Sequence, residues 1–356
     1  MTSSSIRRFA VFASRHVAVR TGTILLVVAY ALMGARTMPT HPVQLNVPKN
    51  WPPIAYDLSR NPLTQEGIAL GRKLFYDPIL SRDSIISCSS CHLNYTAFTH
   101  VDHALSHGIH DSIGTRNSAT LVGLAWGTHF MWDGAVNNLD MQALAPMNHP
   151  AEMGEETAHV VAKLQRLREY RQLFQIAFGD SVVTGEHLLK ALSQFEITLI
   201  SSGSKYDRVT QKSTDETFTE QETNGYRLFK QHCNVCHQEP LFTTGAFANN
   251  GLPPDSLLRD GGRIRITHDP SDSLKFKIPA LRNIEFSFPY MHDGRFKTLR
   301  AVLDHYDHGI SASATLAPEL RDGLHLTSNE RTDVVAFLLT LSDRDFLFDP
   351  AHAFPR

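Results

Sequence analysis

Apolar residues recur with a helical period over much of the chain. Val160, Val161, Leu164, Leu167 and Leu173 fall on one face of a stretch from His159 to Phe178, three or four residues apart as a buried helix face requires. A second such stretch runs from Glu186 to Ile200. A third runs from Asn329 to Leu341, where Val334, Phe337, Leu338 and Leu341 are apolar and Thr327 precedes the first turn, a residue type that opens helices. Thr219 and Glu222 have the spacing of a capping box, which predicts another helix start. No alternating run is long enough to argue for a sheet. The pattern predicts a mainly α fold.

The first 36 residues differ in kind. Arg7, Arg8, Arg15 and Arg20 precede the apolar run TILLVVAYALM, and no acidic residue occurs before Asp57. This charge asymmetry predicts an export signal over 1–36, its apolar run too short to span a bilayer comfortably. Ala35 offers a small residue for cleavage, whereas Met33 suits a signal peptidase poorly, so a cleaved signal and an N-terminal anchor both stay open. Residues 37–56, rich in proline, read as a linker. The expected location is the periplasm, soluble or tethered.

Hydrophobic residues make up 42% of 356 residues, enough for two cores. Basic and acidic side chains number 34 and 36, with no basic block beyond the N-terminus, which argues against nucleic acid as a partner.

Four cysteines in an exported chain ordinarily suggest two disulfides, but these fall as CSSCH (Cys88, Cys91, His92) and CNVCH (Cys233, Cys236, His237). In C-x-x-C-H both thiols bond a haem covalently and the histidine is aimed at its iron. A four-cysteine zinc site or a thioredoxin-like redox pair would leave both histidines without a role. An internal repeat accompanies the motifs: GRKLF (Gly71 to Phe75) precedes the first and GYRLF (Gly225 to Phe229) the second, with nine more residues before Cys88 than before Cys233. Two cytochrome-c-like haem domains follow, 57–208 and 209–345, meeting at the polar stretch Ser202 to Ser213.

Two covalent haems serve either an electron carrier or an enzyme. A carrier needs both irons six-coordinate; a peroxidase needs one open iron with an acid/base group beside it. With AFTH (Ala97 to His100), RNS (Arg116 to Ser118), WDG (Trp132 to Gly134), the Q-x-x-x-P-x-x-x-x-x-E pattern from Gln142 to Glu152, IPALRN (Ile278 to Asn283), PYMHDG (Pro289 to Gly294) and a following HY, the chain resembles the bacterial di-haem cytochrome c peroxidase and MauG family from about Leu63 to Leu341.

The resemblance implies Gln142, Pro146 and Glu152 as the pocket over a first, peroxidatic haem held by Cys88, Cys91 and His92. Glu152 would take a proton from bound hydrogen peroxide and return it to the departing oxygen, so that the O–O bond breaks heterolytically. Gln142 would hold the peroxide by hydrogen bonds, and Pro146 would cover the iron face without ligating it. Trp132 would relay electrons between the haems. The second haem, held by Cys233, Cys236 and His237, would receive electrons from a small cytochrome c or cupredoxin. A calcium ion is implied at Asn117, Ser287 and Pro289, with serine where the family has threonine; calcium accepts such hard oxygens. Many members close the first iron at rest with a loop histidine. His103, His107 and His110 are available here; His107 has the family's Ser-His-Gly context, although its spacing to Arg116 is longer, and an open iron is the alternative.

The sixth ligand of the second iron is sought in LRAVLDHYDHG, which contains His305, Tyr306 and His308. Met291 is the tempting donor, but the family's ligand lies fourteen residues beyond the histidine matched by His292, at Tyr306, where MauG too has tyrosine. His305 would point about 100° away on a helix. The alternatives to a hydrogen peroxide reductase are a MauG-like oxidase of a protein or other substrate and a di-haem carrier; a homodimer is also open.

Overall fold

Helices form where the apolar stripes predict them, and glycine decides how the two principal pairs approach. The computed structural model describes residues 40–355; the expected signal or anchor lies outside them. The first half contains α1 (Gln65–Tyr76), α2 (Cys88–Cys91), α3 (Leu144–Asn148), α4 (Thr157–Arg166), α5 (Arg168–Phe178) and α6 (Gly185–Glu196). The second contains α7 (Lys205–Thr210), α8 (Glu220–His232), α9 (Ile264–Thr267), α10 (Leu299–His308), α11 (Ser328–Leu339) and α12 (Arg344–Leu347). A two-residue antiparallel ribbon, β1 (Phe247–Ala248) with β2 (Phe276–Lys277), is the sheet among the described residues.

In the first half α1 packs on α6. A Cβ on Gly71 would lie 1.9 Å from the carbonyl oxygen of Ala191, so only glycine permits this approach. Gly225 plays the same part between α8 and α11, its would-be Cβ 1.9 Å from the Asp333 oxygen. Leu70, Leu74, Phe75, Leu188 and Phe195 anchor the first core, and Leu228, Phe229, Val334 and Phe337 the second. Each such side chain contributes roughly 1.5–3 kcal/mol on burial. Thr219 and Glu222 form the expected capping box.

One expectation changes, and another stretch gains an explanation. The single helix over 159–178 is broken at Leu167, which is extended (φ −87°, ψ 121°), and Arg171 donates to the carbonyls of Gln165 and Arg166 left exposed there. The polar stretch Ser202 to Ser213 is built into the fold. Ser204 and Asp207 form a capping box for α7, and Asp207 is buried in a bidentate pair with Arg282 (2.8 and 2.9 Å). Its polarity marks a buried ion pair.

The last segment returns to the first half. Phe346 and Leu347 join the first core, and the Tyr76 hydroxyl donates to the His352 carbonyl at 2.6 Å. No helix among the described residues is long and apolar enough to cross a membrane.

Candidate active site

Each C-x-x-C-H motif holds its histidine in the same way. The Nδ1–H of His92 donates to the Phe98 carbonyl at 2.7 Å, and that of His237 to the Phe242 and Pro279 carbonyls at 3.2 and 3.1 Å. Both phenylalanines have left-handed backbones, φ 58° and 55°, which turn the carbonyls inward. The bond at Nδ1 leaves Nε2 as the nitrogen with a free lone pair. Burial pushes both imidazoles down, His237 to about 4, so each is neutral. No disulfide joins the four cysteines, and the two pairs sit in separate halves. Among the described residues no group of three or more His, Cys, Asp or Glu side chains is placed to hold a metal ion.

A cavity of about 600 Å³ is lined by Cys91, His92, Trp132, Gln142, Pro146 and Glu152. A second, of about 210 Å³, is lined by Cys233, Cys236, His237, Trp132, Met291 and Tyr306. Trp132 is thus common to both, its indole N–H fixed on the Asn117 carbonyl at 2.8 Å. The Trp51 side chain lines the first cavity, and its indole N–H is buried without a partner. A C-x-x-C-H motif with its histidine Nε2 free at each cavity, and an orphaned indole donor at the first, fit covalently held haem.

Glu152 is held by its backbone: its N–H donates to the His149 carbonyl at 3.0 Å and its carbonyl accepts from Ile109 at 2.7 Å. Burial raises its carboxyl pKa, opposed by His149, whose Nδ1 lies 3.9 Å away. Gln142 directs its amide to the Met131 sulfur at 3.6 Å. His149 also lines this cavity, and the sequence reading passed over it; its i, i+3 spacing to Glu152 was the available signal.

The loop histidines lie elsewhere. His107 stacks on His103 (ring centroids 4.0 Å apart) and bonds Asp111 at 2.9 Å, while its carbonyl accepts from the Cys91 thiol at 3.3 Å. His103, His107 and His110 are all absent from the first cavity's lining. Asn117, Ser287 and Pro289 share the wall of the second cavity, and the Asn117 amide donates to the Ala104 carbonyl at 3.0 Å.

The cluster in α10 sorts itself by contact. His305 is buried with Nε2 3.1 Å from the Asn250 carbonyl, and His308 is exposed beside Asp307. Tyr306 lines the second cavity, its phenol pushed up to about 12 by burial and countered by the Asn250 side chain. The Asn250 amide also donates to the Met291 sulfur at 3.3 Å.

These pockets are two copies of one plan. FMWDG (130–134) and YMHDG (290–294) share bridges, Phe130 with Val136 and Tyr290 with Phe296, and left-handed Met131 and Met291, φ 67° and 76°. The same offset of 160 residues places Asn138 over Thr298, the residues that cap the following helices. It also places Pro146 over Tyr306. One position therefore carries a ring without a ligand atom in the first cavity and a phenol in the second.

The family model for di-haem cytochrome c peroxidase matches residues 65–215, and that for cytochrome c matches 222–342. The methylamine utilization protein MauG of Methylorubrum extorquens is 35% identical over 292 residues, covering 79% of each chain. The chain belongs to the di-haem cytochrome c peroxidase and MauG family. Cytochrome c551 peroxidase of Nitrosomonas europaea is 31% identical over 279 residues, covering 77% of this chain and 79% of the relative. Among solved structures, a MauG-like protein associated with microbial copper homeostasis superposes with a TM-score of 0.78 at 31% identity, over 88% of this chain and 99% of that one. Members of the di-haem family are oxidoreductases of peroxidase or oxidase type, and the cytochrome c domains imply covalently bound c-type haem.

Proposed function

We propose that this protein is a periplasmic di-haem peroxidase that reduces hydrogen peroxide to water, with electrons entering at the second haem from a small cytochrome c or cupredoxin. The observation that carries this reading is the contrast at the repeated position: Pro146 gives the first cavity no ligand atom, while Gln142 and Glu152 stand on the same wall. Bound haem supplies the iron that accepts peroxide and the redox equivalents.

The remaining work falls to the chain. Glu152 accepts the proton of the near peroxide oxygen and delivers it to the far one; burial, which raises its pKa, makes it the stronger base for the first transfer. Gln142 orients the peroxide, Pro146 excludes a competing ligand, and Trp132 offers an aromatic relay between the cavities. A calcium ion held by the Asn117 side chain with oxygens of Ser287 and Pro289 would brace the wall beside Trp132, since Asn117 already accepts from its indole. His107 is stacked on His103 and bonded to Asp111, which supports a first iron without a loop-histidine ligand.

One observation favours the second reading, a MauG-like oxidase of a protein or other substrate. Tyr306 lines the second cavity, and a phenolate ligand stabilises oxidised iron where methionine stabilises reduced iron. Stopped-flow mixing of the fully ferric holoenzyme with peroxide tests both. A rapid spectral change without reductant supports Tyr306 ligation and an open first iron; inertness until one electron is added removes both. Steady-state turnover with a reduced cytochrome c or cupredoxin then separates peroxidase from oxidase.

A further inference from the structure

Basic side chains around the first cavity come with acidic partners. Arg116 bonds Asp133 and Asp260, Arg265 lies 3.6 Å from Asp260, and Arg282 is bidentate to Asp207. Lys277 is the exception. It lines both cavities, it is the one Lys or Arg among the described residues on the wall of the second, and burial alone depresses its pKa, with no carboxylate paired to it.

Its position is fixed from the backbone. Lys277 belongs to β2, opposite Phe247, and its N–H donates to the Trp132 carbonyl at 2.7 Å. It therefore stands where the two cavities meet, beside the indole they share. An ammonium taken from water without a counter-charge is costly, and that cost is offset by a carboxylate brought within reach. A haem attached through its vinyl groups carries two propionate carboxylates that attachment does not consume. An ammonium has three N–H donors, enough to serve one propionate from each side.

We propose that Lys277 is a shared anchor for the haem carboxylates, joining one propionate of each haem, and that its charge sets both potentials together. A positive charge near an iron favours the reduced, less positive state. The inference rests on haem occupying both cavities and not on the choice between peroxidase and oxidase, so either can fail without the other.

The test is a spectroelectrochemical titration of the Lys277→Met holoenzyme, with both covalent haems counted by mass. Both midpoint potentials should fall, each by at least the equivalent of a tenfold change in the reduced-to-oxidised ratio, about 59 mV for one electron. Lys277→Arg should restore most of the shift. A fall at one haem alone, or at neither, overturns the proposal. Should Lys277→Met lose haem, resonance Raman of Lys277→Arg decides: the propionate bending bands of both haems should move while the iron–histidine band stays, and unmoved bands overturn it.

Discussion

Replacing Glu152 by glutamine keeps the side chain's size and removes its ability to exchange a proton. The backbone of Glu152 is held by its bonds to His149 and Ile109 and does not depend on the carboxylate, so the substitution should leave the cavity intact. Loss of a positioned acid/base group costs roughly 10²–10⁴ in rate. The lower end applies here, because Gln142 and Pro146 are untouched and the His149 ring, 3.9 Å from the carboxylate, can carry part of the proton traffic. A hundredfold loss corresponds to about 2.7 kcal/mol, two factors of ten at 1.36 kcal/mol each. The assay is stopped-flow peroxide cleavage by the holoenzyme as a function of pH. Glu152 must be ionised to accept a proton and burial raises its pKa, so the native rate should climb as pH rises through that elevated value and level off above it. The glutamine variant should lose this limb. An unchanged rate, or a native profile without the rise, would refute the role. A His149→Gln, Glu152→Gln double variant should fall further than either single one if His149 is the substitute.

Tyr306→Met should raise the potential of the second haem, because a thioether favours reduced iron; an unchanged potential in a redox titration would place the phenol away from the iron. Trp132→Phe removes the indole common to both cavities and should slow electron transfer between the haems at least tenfold in flash-reduction experiments, an effect that core packing alone would not produce. Gly225→Ala should destabilise the protein by about 1–3 kcal/mol through overpacking, since the new methyl would meet the Asp333 oxygen. Calorimetry would show a melting point several degrees lower, and an unchanged one would mean that α8 and α11 separate freely.

What the sequence disclosed was whatever is written locally. Haem attachment lies in five consecutive residues, and α6, α8 and α11 declare themselves by periodic apolar residues and by capping threonines. Tyr306 was singled out by the family's spacing from His292; of its neighbours, His305 bonds the Asn250 carbonyl and His308 is exposed beside Asp307. What escaped depends on residues far apart in the chain. Asp207 is only one residue of a polar stretch until Arg282, 75 residues on, pairs with it. The break at Leu167 has no glycine or proline to announce it, and His149 is one of 19 histidines until the turn to Glu152 brings it to the cavity. The 160-residue correspondence of Pro146 with Tyr306 was also readable, but only once the shared backbone geometry showed where to align.

The placement of Phe346 and Leu347 in the first core, with Tyr76 tied to His352, bears on the order of assembly. The half that is synthesised first cannot complete its interior until the end of the chain has emerged. The first C-x-x-C-H motif is therefore presented for haem attachment on an unfinished scaffold. Closure by the C-terminal segment then acts as a final latch, so that a chain truncated after residue 342 should attach its second haem normally and hold its first half loosely.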